Sequence, residues 1–477
     1  MSTAQRMPHA DAAWLNMDQP TNLMVITGVI WFDETPDWGQ VRDVVAERLV
    51  DAFPRFRQRV VGGVLPGTGP HWEDDPRFDL DLHLHRVSLP PPGDADALRA
   101  LVADLAATPL DPEAPLWQFH LVDGYGNGGA VITRIHHCIA DGIALARVLL
   151  SLTDAEPDSG LVAAPAPAAH DRGPLGSIVA PARGALSTVA GAVGALTRES
   201  IEVAKHPAHL RDLATTARSD ADALAKVLLE GSDPATPLKG ELGRAKAVSW
   251  SAPIALDEIK AMGRGTGTTI NDVVVTAVAG ALRSYLRHRD GLVDELTAFV
   301  PFNLRPLDEP LPAELGNRFG LVFLRLPVGI GDRRRRLNEV HDRMRRIKGS
   351  AEGAVSYGVL DAIGRAPVPL EKRLVDLFST RGTAVVTNVP GPRQTVYMAG
   401  TPVTGVLVWA PASGGVSMTV SIFSYAGRIV VGFMTDAGLI PDPEAIVAAF
   451  EGEIEALLRL KRPLTTAAGA PAPDRKA

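Results

Sequence analysis

Arg134-Ile135-His136-His137-Cys138-Ile139-Ala140-Asp141-Gly142 joins an apolar, β-branched run to an apolar helical stripe. Ala130 to Ile135 reads as a short strand and Ile143 to Leu152 as a helix, so both histidines lie where a strand gives way to a loop. Adjacent side chains on extended backbone point to opposite faces, so only one imidazole can face a given cavity. The other serves packing or hydrogen bonding. Three chemistries compete for this segment. His136, His137 and Asp141 would make a two-histidine, one-carboxylate metal triad, which the opposed ring directions make awkward. Cys138 with His137 would make a nucleophile and base, but such pairs normally join residues distant in sequence. Alternatively, both are core histidines, with Asp141 and Gly142 as turn residues.

Outward from this segment the first half alternates strand and helix signals. Asn22 to Phe32 reads as a buried strand, and Asp37 precedes a helical stripe at Val41, Val44, Val45 and Leu49. Asp79 to Val87 alternates in period two like a half-buried strand, with His83 and His85 on one face. Ala95 to Ala107 is helical. Trp117 to Val122 is a strand, reaching the Ala130 strand through the turn Gly124-Tyr125-Gly126-Asn127-Gly128. Beyond Leu152 a Pro/Ala/Asp-rich stretch reads as a linker, followed by helical patterns near 176–198 and 207–230. A second α/β region starts near Ala247. It holds a long helix after Thr269, strands at 297–301 and 321–326, and a basic helix at 333–348. Strands at 383–387, 403–409, 416–423 and 429–433 precede a helix at 442–460.

Composition narrows the classes. A net charge of -7 over 477 residues argues against a nucleic-acid binder. The single cysteine, Cys138, rules out an internal disulfide and fits a reducing cytosol. The first residues, MSTAQRMPHADAAW, lack the apolar core of a signal peptide, and no run reaches the ~20 apolar residues that span a bilayer. A surface association with membrane or lipid inclusions is the expected limit of any lipid contact.

The pattern His-His-x-x-x-Asp-Gly resembles the active-site signature of the coenzyme A-dependent acyltransferase superfamily, which includes chloramphenicol acetyltransferase and peptide-synthetase condensation domains. Further blocks narrow the likeness. Pro115-Leu116-Trp117, Thr269-Ile270-Asn271-Asp272, Val300-Pro301-Phe302-Asn303-Leu304-Arg305, Leu315-Gly316-Asn317 and Thr387-Asn388-Val389-Pro390-Gly391-Pro392 stand in family order. With Pro54-Arg55-Phe56-Arg57 and Phe78-Asp79-Leu80 they make the chain similar, from about residue 8 to 460, to the wax ester synthase/diacylglycerol acyltransferase family. One departure is Thr21-Asn22-Leu23-Met24, which replaces the family's common Pro-Met-His start and bears on acceptor preference.

The resemblance implies an α/β fold of two chloramphenicol-acetyltransferase-like domains joined by a helical linker. The expected division is 1–155 with the signature, 156–245 as linker, 246–462 as second domain and 463–477 as a disordered tail. It implies an O-acyltransferase that moves a fatty acyl group from acyl-CoA to diacylglycerol or a long-chain fatty alcohol. His137 is then the base, His136 supports the loop, Asp141 anchors it, and Gly142 permits a tight turn or close helix approach. Asn271 is the candidate oxyanion donor, although Thr269 with Asp272 also reads as a capping box with Asn271 merely on its first turn. No metal or organic cofactor is called for, and acyl-CoA enters as substrate. A carrier-dependent condensation or tailoring acyltransferase and a non-catalytic lipid-binding relative are the alternatives. The basic helix reads as a solvated face, or as a surface for anionic headgroups or coenzyme A phosphates.

Overall fold

The computed structural model describes residues 5–62, 69–157, 233–303, 315–317, 319–348 and 379–460. The helices expected at 176–198 and 207–230, and the tail at 463–477, lie outside the described residues.

Two sheets organise the molecule. The first uses β1 (Val25–Phe32), β2 (Leu84–Ser88), β3 (Trp117–Tyr125) and β4 (Gly128–His136). The second uses β5 (Lys246–Trp250), β6 (Leu296–Asn303), β7 (Phe319–Leu326), β8 (Ala384–Pro390), β10 (Met418–Tyr425) and β11 (Arg428–Asp436), while β9 is Gly405–Trp409. The order in the second sheet is β7-β6-β8-β10-β11-β5, with the short strand Ile254–Ala255 also on β11. In the first it is β9-β1-β4-β3-β2. The strand expected at 403–409 in the second half thus completes the first sheet, with Leu407 opposite Val29. Pairing there satisfies a row of backbone groups that β1 would otherwise expose at the sheet edge. A cut in the sequence near 246 therefore does not separate the two sheets.

Four of the helices start at side-chain caps, each worth about 1 kcal/mol. The Asp37 carboxylate accepts from Gly39 N at 2.8 Å ahead of α1 (His9–Asn16)'s successor, α2 (Trp38–Val45), and Asp94 accepts from Ala97 N at 2.9 Å ahead of α3 (Ala95–Ala106). Asp141 does the same for α4 (Gly142–Ser151). Beyond α5 (Leu256–Thr266), Thr269 and Asp272 form a reciprocal capping box on α6 (Ile270–His288). In the β3–β4 hairpin, Gly126 sits at φ 59°, a left-handed backbone that glycine reaches without a Cβ clash.

The expected strand from Asp79 is corrected in its first half. The Asp79 side chain accepts from Asp81 N at 3.0 Å and turns Leu80–Leu82 into a 3-10 helix. A local side-chain bond of this kind competes with the sheet ladder. His83 therefore precedes β2 and does not share a strand face with His85.

Period-two alternation in the second sheet builds two cores. Phe299, Phe319, Phe323, Val385 and Phe423 pack towards the first sheet, and their neighbours Ala298, Val300, Val322, Leu324 and Val386 pack in a second cluster with α6, α7 (Arg333–Lys348) and α8 (Pro443–Arg459). The first cluster also holds Trp14 of α1, Val29 and Leu407, so one continuous core joins the two halves. Leu407→Ala should destabilise the protein by about 2–5 kcal/mol, because Leu407 is fully buried where β9 clasps both halves; urea unfolding measures it, and a loss confined to the second half would refute the clasp.

Candidate active site

β4 ends at His136, and the chain turns at once. His136 N donates to Leu116 O at 2.9 Å, His137 N to Met24 O at 2.7 Å and Ile139 N to His136 O at 3.0 Å. Cys138 N donates to His136 Nδ1 at 3.2 Å. Asp141 then closes the loop by accepting from Ala144 N at 2.8 Å. An ideal Cβ at Gly142 would meet nothing within 4 Å among the described residues, so the expected tight turn or close helix approach is not what requires glycine there.

His137 is buried at the seam of the two halves. Its ring stacks on Trp14 with centroids 4.2 Å apart, and Phe319 of β7 lies 5.4 Å away. Burial lowers its pKa to about 4, against opposing pulls from Asp141, its own backbone and the Asn317 side chain. The ring is therefore neutral at pH 7. Among the described residues Nδ1 is enclosed without a well-formed hydrogen bond. His136 is pushed lower, to about 3, by burial and then by its neighbour His137. Its Nε2 lies 3.9 Å from Asp18 Oδ1, and that oxygen accepts from Met24 N at 2.6 Å.

A second carboxylate backs the loop. Asp11 of α1 is buried and accepts from Asn317 N at 3.0 Å and Asn317 Nδ2 at 2.9 Å, while Nδ2 also donates to His137 O at 2.8 Å. Burial raises the Asp11 carboxyl to about 6, with the Asn317 hydrogen bonds working against the rise. No motif singles out Asp11, Trp14 or Phe319, and Asn317 stands only within the Leu315-Gly316-Asn317 block. An aspartate among Ala10, Ala12, Ala13 and Trp14 was the available signal, since a carboxylate on an otherwise apolar helix face needs a partner.

The remaining expected residues are placed as follows. Asn271 is buried at the start of α6, and its Oδ1 accepts from Asn388 Nδ2 at 2.8 Å. That bond ties the Asn388-Val389-Pro390 end of β8 to α6; no described contact joins Asn271 to the His137 loop. Trp117 is a core residue whose Nε1 donates to Phe56 O at 2.7 Å, and His83 stacks on it at 4.6 Å. His85 stacks on His120 at 5.0 Å. Cys138 is buried with its thiol pKa pushed up, which leaves it unreactive as a nucleophile. Among the described residues no group of His, Cys, Asp and Glu is arranged to hold a metal. The departing segment at 21–24 is a cross-tie: Asn22 Nδ2 donates to Gly414 O at 2.8 Å and Val416 O at 3.0 Å, and Lys246 Nζ donates to Thr21 O at 2.5 Å.

The basic helix α7 has acidic partners beyond its own Glu339, which accepts from Arg343 Nε at 2.7 Å. Glu453 takes Arg333, at 3.0 Å, and the buried Arg336; Glu295 takes Arg343 at 2.6 Å. Leu337, Val340 and Met344 bury the expected stripe.

Comparison with known proteins fixes the family of these two α/β halves. The profile of the wax ester synthase/diacylglycerol acyltransferase catalytic domain matches residues 7–274, and that of the WS/DGAT C-terminal domain matches residues 315–458. The chain belongs to the wax ester synthase/diacylglycerol acyltransferase family and is an acyltransferase. A Mycobacterium tuberculosis protein provisionally named a diacylglycerol O-acyltransferase is 29% identical over 443 residues, 90% of each chain. Another, named a probable diacylglycerol O-acyltransferase, is 28% identical over 462 residues, 95% of each. The solved wax ester synthase/diacylglycerol acyltransferase from Marinobacter aquaeolei VT8 superposes with a TM-score of 0.68 at 22% identity, covering 96% of this chain and 99% of that one. A condensation domain of the calcium-dependent antibiotic synthetase shares the fold at a TM-score of 0.57 and 16% identity, covering 96% of each.

The buried histidines set a pH dependence of stability. His120, His136 and His137 have folded pKa values of about 3, about 3 and about 4, below the ordinary 6.5. The unfolded chain binds more protons between those values and 6.5, so their stabilisation is complete above 6.5 and is lost as pH falls towards 4. Asp11, raised to about 6, acts oppositely, because the folded state keeps its proton longer. The urea midpoint should fall between pH 7 and pH 5, and more steeply in Asp11→Asn; a flat profile would contradict this electrostatic arrangement.

Proposed function

We infer that this acyltransferase moves a fatty acyl group from acyl-CoA to the hydroxyl of diacylglycerol or a long-chain fatty alcohol, giving triacylglycerol or wax ester. The observation that carries the reading is a neutral imidazole, His137, walled by Trp14 and Phe319 where the two halves meet. An alcohol is a poor nucleophile at neutral pH and needs a base within hydrogen-bond reach. His137 Nε2 accepts the hydroxyl proton as the alcohol oxygen bonds to the thioester carbon. The tetrahedral oxyanion collapses, the C–S bond breaks, and the proton passes from Nε2 to the leaving thiolate. The products are the ester and free coenzyme A, with no acyl-enzyme between them.

His136 and Asp141 hold the loop rather than react: one receives the Cys138 amide and the other caps α4. Asn271 is the candidate oxyanion donor, since Asn388 occupies its oxygen and its Nδ2 is the group left to donate. No described helix is long and apolar enough to cross a membrane. Lipid is met at a surface, and the exposed arginines Arg334, Arg335 and Arg345 of α7 suit anionic headgroups.

With palmitoyl-CoA, and hexadecanol and diacylglycerol offered together, the wild type should form ester and His137→Ala should lose about 10²–10⁴-fold in turnover. The assay contains no carrier protein, so absence of ester from folded wild type would favour a carrier-dependent reaction. Replacing Arg334, Arg335 and Arg345 together by glutamate should weaken binding to anionic vesicles; unchanged binding would place the lipid contact elsewhere.

A further inference from the structure

Two buried polar atoms beside the catalytic turn have complementary needs. His137 Nδ1 and Asn317 Oδ1 are both enclosed and without a well-formed hydrogen bond. The orientation of the Asn317 amide is fixed, because its nitrogen donates to Asp11 Oδ1 and to His137 O. A flipped amide would set an oxygen against those two acceptors. Among the described residues Oδ1 is therefore an acceptor with nothing to accept, an arrangement that buried polar groups avoid. A neutral imidazole has one N–H to give; after the Asp141 charge and the residue's own backbone, the Asn317 side chain is the group that favours a proton on the His137 ring. Hydrogen bonds of this kind are long in empty active sites and tighten when substrate binds.

We propose that Asn317, anchored by Asp11, is a positioning residue whose Oδ1 takes the Nδ1–H of His137 and so fixes the tautomer in which Nε2 is the base. This rests on His137 being the general base. The second ring nitrogen of a histidine is set by the bond the first one makes, so the arrangement controls which atom can take the alcohol proton. Asp11 supplies the fixed point. It is enclosed on α1, and two hydrogen bonds from one asparagine hold the 315–317 segment of the second half against the catalytic loop of the first. The pair thereby makes the competence of the base depend on the contact between the two halves.

Nitrogen NMR of the histidine-labelled wild type, with the His137 signals assigned by their loss in His137→Ala, should show the ring proton on Nδ1 at pH 7. A proton on Nε2 overturns the proposal without any need of a variant. Asn317→Ala should lower kcat about a hundredfold while KM for palmitoyl-CoA changes little. The exchange Asp11→Asn with Asn317→Asp keeps one amide and one carboxylate but sets the charge against Nδ1–H. The acid limb of kcat/KM should then rise by about one pH unit or more. A purely structural role would leave that limb where the wild type has it, and wild-type kcat and limb in these variants overturn the proposal. Wild-type turnover in His137→Ala would instead remove the base assignment, and the positioning role with it.

Discussion

Removing the His137 ring from water is the constraint around which the rest of the molecule is arranged. An imidazole in solvent is partly charged near neutrality and has no reason to keep one tautomer. Enclosed by Trp14, Phe319 and the Met24 carbonyl contact, the ring stays neutral across the physiological range. The cost of enclosing it is met by placing the residue in a tight turn whose backbone groups are bonded: His136 N to Leu116 O, His137 N to Met24 O, and Cys138 N to the His136 ring. The helix that follows begins on the Asp141 cap, so loop and helix are fixed by one carboxylate.

That enclosure cannot be built from one half of the chain. Trp14 and the β4 turn come from the first half, whereas Phe319 and Asn317 come from the second. β9 crosses back to complete the first sheet, and the alternating side chains of the second sheet give one face to this shared core and the other to α6, α7 and α8. The seam is thus a packed interior rather than a surface contact. Asp11 and Asn317 add a polar lock inside it, and the ties from Asn22 and Lys246 add another at its edge.

Much of this was legible in the sequence, and the reasons are physical. Strong periodicity located β1, β3, β4, α6, α7 and α8, and Asp37 and Thr269 marked helix starts, whereas Asp141 read as a turn residue rather than as the cap of α4. The His-His turn was readable because a strand signal meets a helix signal with two imidazoles between them. What escaped was non-local. Period-two alternation across 79–87 could not reveal that Asp79 bonds its own neighbourhood, and the strand at 403–409 gave no hint of which sheet it joins. Asp11 and Asn317 lie 306 positions apart, so their partnership is invisible to spacing. Glu453 and Glu295 likewise come from distant segments to pair with Arg333, Arg336 and Arg343 of the basic helix.

Whether burial keeps the base neutral is read from the pH dependence of kcat/KM for acyl transfer by the wild-type protein. The rate should stay level down to about pH 5.5 and fall with a midpoint near 4, where the enclosed His137 ring gains its proton. A midpoint at or above the free-imidazole value near 6.5 would mean that the reacting base is exposed to solvent and is not the enclosed His137 ring.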